Sequence, residues 1–279
     1  MVLKTRPFGC NPAARAEIHS LISHFYIAMY IAAIKSLLRF YDDIAVIIHD
    51  DGTLTDRDKI LLEKHIPGIG IIEKKFADRK MAGILRNYPN SKIYRASNII
   101  ATQLFDYAIF SKRDKYISLD SDTLFLRRPD KLIDWIAKDR KEIVCLYEMY
   151  PAGQGDFLSE VKCDFPPHIC AGFFCFPKQI FNLDKIEKIL DRMESFGWFT
   201  TQNALPILIK DKAKEYKISF FNPDEYQDPY NFKEKAVFRH YWSSLGAMDT
   251  YTSDVIEFII AITKMKTQAE KLIGTGRSQ

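Results

Sequence analysis

The sequence predicts an α/β domain built on a mostly parallel sheet, from three observations. Apolar runs of strand length at residues 44–48, 69–72 and 116–119 alternate with segments whose apolar residues recur at helical spacing. The run at 44–48 is apolar without interruption rather than alternating, as expected of a strand covered on both faces. Two runs end in acidic clusters, Asp50-Asp51 and Asp120-Ser121-Asp122, and open α/β sheets bind ligands beyond the carboxyl ends of their strands.

In chain order, the residues through Cys10 read as a short first strand. Residues 17–40 set Leu21, Phe25, Ala28, Met29, Ala32, Ala33, Ser36 and Leu37 on one stripe, which predicts a helix. The strand at 44–48 stops at His49-Asp50-Asp51-Gly52, Thr55 caps a helix over 56–65, and Pro67-Gly68 stops that helix before the strand at 69–72. A helix over 98–110, apolar at Ile99, Ala101, Thr102, Phe105, Ala108 and Ile109, leads into the strand at 116–119. The second half is less regular: strands at 143–147, 169–176 and 237–241, helices at 183–196, 199–209 and 254–273, and loop signals at Gly153-Gln154-Gly155 and Pro166-Pro167. No repeat or Pro/Gly-rich linker divides the chain, so residues 1–250 read as one domain and 251–279 as a C-terminal helix.

Composition narrows the function classes. The 279 residues are 47% apolar, enough for one large core, and 27% charged with a net charge of +4. There is no long basic tract, which argues against nucleic acid; a pI near 8.6 suits a small anionic substrate or a weak attraction to an acidic membrane surface. Five cysteines (Cys10, Cys145, Cys163, Cys170, Cys175), odd in number and without CxxC spacing, argue against a disulfide framework and a zinc site. The start has no signal-peptide core, and the apolar run at 25–38 carries Lys35 and is too short to span a bilayer. The expectation is a cytoplasmic protein without a transmembrane segment, with room for peripheral membrane contact.

The chemistry concentrates at residues 115–129. Two carboxylates one residue apart on extended backbone, Asp120 and Asp122, project the same way and repel. A divalent cation removes that conflict, and hard oxygen ligands suit Mg²⁺ or Mn²⁺ held jointly with substrate phosphates.

The apolar strand ending in Asp-Ser-Asp-Thr-Leu-Phe, followed by Arg127-Arg128-Pro129, resembles the metal-binding motif of nucleotide-sugar-dependent glycosyltransferases of the A-type fold. The order of later motifs is similar to the retaining family 8 type, glycogenin and the bacterial galactosyltransferases, over residues 40–245. The resemblance implies a single Rossmann-like domain. Its nucleotide-sugar half reaches to about residue 130, and an irregular acceptor-side half follows. It implies a UDP-sugar donor, an acceptor that is carbohydrate, lipid-linked or other, and hexosyl transfer with retention. Asp120 would touch ribose and metal, Asp122 would chelate the metal between diphosphate oxygens, and His240 would complete the metal shell. Gly172 matches a strand position where backbone approaches a sugar, with Cys170 replacing the family's Asn. Gln202, in Thr201-Gln202-Asn203, matches the group near the anomeric carbon, with Thr201 replacing an Asp. Gln103 fills the place of a donor-binding Arg, for which Arg95 could substitute, while Asp50 and Asp51 lie where an acidic residue can bond uracil or ribose, or else form an Asx turn. An inverting enzyme would need a base, with Asp156, Glu160, Asp164 and Asp224 available. Two other classes compete: a phosphoaspartate-type phosphatase, for which His49 and Leu124 are wrong residues, and a non-catalytic nucleotide-sugar-binding relative.

Overall fold

A computed structural model of the chain describes residues 1–148, 164–227, 234–242 and 247–275, with side chains of the last helix to residue 264. The elements in order are β1 (Ala16–Ile22), α1 (Ile27–Leu38), β2 (Ala45–Asp50), α2 (Asp56–His65), β3 (Gly70–Ile72), α3 (Lys74–Ile84) and α4 (Pro89–Ser97). Two short turns of helix, α5 (Ala101–Leu104) and α6 (Asp106–Phe110), lead to β4 (Lys115–Leu119) and β5 (Thr123–Phe125). Then come α7 (Asp130–Ala137), β6 (Glu142–Tyr147), β7 (Ile169–Pro177), α8 (Leu183–Leu190), α9 (Thr200–Lys210), β8 (Lys217–Phe220), β9 (Tyr226–Gln227), β10 (Phe238–His240) and α10 (Met248–Thr275).

Seven strands form the main sheet in the order β3-β2-β1-β4-β7-β6-β8, and only β7 runs against the rest. The expected mostly parallel sheet is therefore present. Its alternation is visible at β7, where Phe173 and Cys175 enter one core layer with α1, α7 and α10, and Phe174 and Phe176 enter the other with α4 to α6, α8 and α9. The chain builds β1, β2 and β3 outward in one direction and then returns to lay β4 on the other side of β1. That reversal makes the crevice beyond β1 and β4 the place where this class of sheet takes a ligand.

The first strand is Ala16–Ile22, not the residues up to Cys10, which hold only a helical turn at Val2–Lys4. It also replaces the first part of the expected 17–40 helix. Glu17, His19 and Ser20 break the apolar run, yet all three are buried because β1 is central. Tertiary contacts answer the polarity of Glu17 and His19: Glu17 Oε2 accepts from Ser111 Oγ (2.7 Å) and Lys112 N (2.8 Å), and lies 3.3 Å from His19 Nε2, while His19 Nδ1 lies 2.9 Å from His49 Nε2. Tyr107 covers both imidazoles, with ring centroids at 5.5 and 4.9 Å. The 98–110 helix is two turns, the 183–196 helix ends at Leu190, and α3, α4 and α7 were not expected.

Lys35, which interrupts the apolar run, is also buried. Its ammonium donates to Thr5 Oγ1 (2.9 Å) and Arg6 O (2.7 Å) and meets His65 Nδ1 at 2.8 Å, so it ties the N-terminal segment to α1. No carboxylate among the described residues pairs with it, and burial lowers its pKa to about 8. No described helix is long and apolar enough to cross a membrane.

Burial depresses the pKa of both His19 and His49, in His19 against the opposing pull of Glu17. Both rings are neutral when folded, whereas below their ordinary value of 6.5 they take up protons on unfolding, so their contribution to stability is present above pH 6.5 and is lost as pH falls. Each costs about 1.4 kcal/mol per pH unit in that window. The expected result is a melting temperature that drops between about pH 7 and pH 5, with a shallower drop in His49→Gln. An equal slope in parent and variant would remove His49 from this account.

Candidate functional site

The site begins where β4 leaves the sheet. Asp120 N donates to Gly172 O (2.8 Å), Thr123 Oγ1 donates back to Asp120 O (2.8 Å), and the tight turn delivers the chain into β5. Strand β5 pairs antiparallel with β10 in a second, three-stranded sheet, and the register sets His240 opposite Thr123. Tyr241 N donates to Asp122 O (2.8 Å), which closes the other side of the turn. His240 Nε2 thereby stands 3.3 Å from Asp122 Oδ1 and 3.8 Å from Asp120 Oδ2. One ligand atom from each of the three residues lies within 4.8 Å of the others, as a single cation requires. Two carboxylates and an imidazole are a donor set that fits Mn²⁺ or Mg²⁺ with phosphate oxygens supplying the rest.

Closeness of this order needs an absent side chain. A Cβ at Gly172 would sit 2.7 Å from Asp120 Oδ2 and 2.7 Å from His240 Cε1, so any larger residue would push the ligands apart. On the opposite flank Gln103, in α5, donates through Nε2 to Asp120 Oδ1 at 2.9 Å. Cys170 Sγ lies 3.4 Å from His240 Nδ1. Strand β10 is anchored on both sides of His240, because Arg239 NH1 (2.8 Å) and Tyr241 OH (2.7 Å) both donate to the buried Asp254 of α10. Phe238 stacks on Phe173 at 4.5 Å, which joins the small sheet to the main one.

The electrostatics follow from two acids sharing a crevice. Burial, with the Asp122 carboxylate beside it, pushes the Asp120 carboxyl up to about 6. Burial pulls the His240 imidazole down, but Cys170 and Asp122 outweigh it and hold the ring well above its ordinary value. A protonated His240 supplies positive charge that the paired carboxylates otherwise lack.

Gln202 lies in the first turn of α9, nearly buried, and its Nε2 donates to Glu148 Oε2 at 3.2 Å. Glu148 is a buried carboxylate at the carboxyl end of β6 that the sequence reading passed over; its signal, a charge directly after an apolar strand, is the one that marked Asp120. Thr201 turns elsewhere, to Tyr94 OH at 2.9 Å. Arg95 does not join the cluster. Its guanidinium is buried and bound through two nitrogens to Asp106 (2.7 and 2.8 Å), with Asp78 at 3.3 Å, so it is spent on internal carboxylates.

Asp50 and Asp51 lie at the end of β2, one strand beyond β1, and adopt the Asx-turn alternative. Asp50 Oδ1 accepts from Gly52 N and Leu54 N, and Asp51 Oδ1 accepts from Thr53 N and Oγ1. Thr53 Oγ1 in turn accepts from His24 N at 2.8 Å, and His24 Nδ1 meets Asp58 at 2.8 Å. The acidic turn thus buttresses the loop that follows β1, whose aromatic residues Phe25 and Tyr26 are 86% and 43% exposed at the crevice edge. That loop was hidden in the sequence by the reading of 17–40 as one helix. Of the carboxylates weighed as bases, Asp164 and Asp224 are exposed, and Asp156 and Glu160 lie outside the described residues.

No protein-family model and no curated protein matches the sequence. Solved structures do. Galactosyltransferase LgtC, in complex with donor and acceptor sugar analogs, aligns over 86% of this chain and 95% of its own with 14% identity and a TM-score of 0.56. Mouse xyloside xylosyltransferase 1 aligns over 83% and 98% with 12% identity and a TM-score of 0.57. Core-mannan synthase A from Aspergillus fumigatus, in an Mn/GDP form, aligns over 78% and 77% with 12% identity and a TM-score of 0.50. At these identities the likeness is one of fold.

Cation affinity at the cluster carries a pH signature. A cation taken up here would have to displace the proton on His240 near neutrality and a second proton, on Asp120, below about pH 6. Mn²⁺ titrations followed by electron paramagnetic resonance should show affinity rising with pH, and below about pH 6 the slope steepens by up to tenfold per unit. Affinity independent of pH would separate the ion from these residues.

Proposed function

We propose that this chain, built on the A-type glycosyltransferase fold, transfers a sugar from a nucleotide sugar, read as UDP-linked, to an acceptor hydroxyl in a reaction that depends on a divalent cation. The observation that carries this is the meeting of Asp120, Asp122 and His240 at the crevice beside the point where the strand order reverses. Bound there, Mn²⁺ or Mg²⁺ would act as a Lewis acid on the diphosphate and offset the charge that grows as the sugar leaves.

The remaining work belongs to the chain's own groups. Asp120, Asp122 and His240 hold the ion, and Gln103 fixes the Asp120 carboxylate through its 2.9 Å bond. Phe25 and Tyr26 offer faces on which a nucleobase can stack, in the loop held by the Asp50-Asp51 turn. Gln202 would stand at the sugar. A carboxylate only accepts hydrogen bonds, so its amide nitrogen is turned to Glu148 and its carbonyl oxygen remains to stabilise a cationic anomeric centre. A neutral amide captures such a centre poorly. The bond from anomeric carbon to phosphate oxygen breaks, the acceptor oxygen attacks the same face, and the departing phosphate takes the acceptor's proton, which retains configuration.

UDP is expected to raise the melting temperature by about 5–10 °C at a hundredfold excess over Kd with Mn²⁺ present, and hardly at all with EDTA. Asp122→Asn should abolish the metal-dependent part and lower turnover by about 10²–10³ without loss of folding. Indifference of the parent to every nucleotide sugar would favour a phosphatase or a non-catalytic protein. Proton NMR of the product from an α-linked donor should show an α linkage; a β linkage would contradict retention and turn attention to Glu148 as base.

A further inference from the structure

Three of the described cysteines are buried, and they differ in their surroundings. Burial pushes the Cys145 and Cys175 thiols up, and both side chains sit among core hydrophobics. Cys170, 3% exposed, is also buried against that core and its thiol is likewise pushed up by burial, but it alone of the three has a ring nitrogen within hydrogen-bond reach: His240 Nδ1, at 3.4 Å. It lies two residues before Gly172 on β7, and both meet the same imidazole, Cys170 at Nδ1 and the bare Gly172 at Cε1.

That contact, with the 3.3 Å approach of Nε2 to Asp122 Oδ1, sets which edge of the imidazole meets the carboxylates. A half-turn of the ring would swap Nε2 for carbon at the ligand position. Sterics at one edge do not prevent it, because His240 Cε1 lies against the bare Gly172, where no Cβ stands. A half-turn would instead forfeit the contacts at both ring nitrogens, Asp122 Oδ1 at Nε2 and Cys170 Sγ at Nδ1, and only the second survives when a cation takes Nε2. Metal-binding histidines generally donate their second N–H to a carboxylate, a carbonyl or water, which fixes ring orientation. Here the partner is sulfur, a weak acceptor.

We propose that Cys170 is the positioning residue for His240: its sulfur accepts from Nδ1–H and holds Nε2 toward Asp120 and Asp122, where it would ligate a divalent cation. The inference rests on the reading of the cluster as a metal site. The cysteine acts through the histidine and not on substrate.

The test compares the parent with Cys170→Ala, Cys170→Val and Cys170→Ser. Valine fills the volume without an acceptor, while serine keeps one. Two quantities are read: Mn²⁺ affinity by calorimetry with UDP present, and the His240 Nδ1–H signal in metal-free, ¹⁵N-histidine-labelled protein, assigned with His240→Gln. Alanine and valine should weaken Mn²⁺ by about tenfold, the low end for a lost partner of a metal-binding histidine, and should lose the ring signal to solvent exchange. Serine should restore both to within about threefold of the parent. Unchanged affinity and an unchanged signal in the alanine and valine variants would overturn the proposal. If the parent takes up no Mn²⁺, the metal reading fails, and the ring signal alone decides whether Cys170 holds His240: its loss in both variants supports the contact, and its persistence overturns it.

Discussion

Asp120 and Asp122 repel each other at the mouth of a buried strand, and much of the second half of the chain is arranged to answer that repulsion. The strain is legible in the Asp120 carboxyl, pushed up to about 6 by burial and by its neighbour. His240 brings the opposing charge from a residue 118 positions further along than Asp122. The pairing of β10 with β5 makes the meeting possible, and the pairing would be useless without Gly172, since a side chain there would occupy the space that the ligands share.

The small sheet is a positioning device. Phe238 stacks on Phe173 of the main sheet, Phe173 on Phe221 at 4.8 Å, and Phe221 on Tyr226 at 4.2 Å. Truncation of a buried aromatic in such a cluster costs about 3–5 kcal/mol, and here it would also loosen the strand that carries His240. Helix α10 clamps the same strand through Asp254, whose two donors flank His240 in sequence. Stability and site geometry therefore share the same residues.

Much of this was legible in the sequence wherever chemistry sat at the end of an apolar strand. Asp120 and Asp122 follow such a strand, and their spacing pointed to a cation, whereas His240, the last residue of β10, was joined to them only by the family resemblance. Strand β1 is not legible because Glu17, His19 and Ser20 interrupt its hydrophobic run, and the partners that make burial of Glu17 and His19 tolerable, Ser111, Lys112 and His49, come from distant parts of the chain. The loss of β1 also hid the loop bearing Phe25 and Tyr26. Arg95, offered by its place two turns before Gln103, is paired with Asp106, a partner that its position in the sequence does not reveal. Glu148 offered the same end-of-strand signal as Asp120, but a single carboxylate without a second nearby in sequence raised no conflict that needed an ion.

The central claim is that one divalent cation, shared with a diphosphate, binds where the two sheets meet. Crystals grown with Mn²⁺ and UDP and measured at the manganese absorption edge test it most directly. An anomalous peak bounded by Asp120, Asp122 and His240, with diphosphate density beside it, is the predicted result. Diphosphate density with no anomalous peak there, or a peak coordinated by other residues, would contradict the claim.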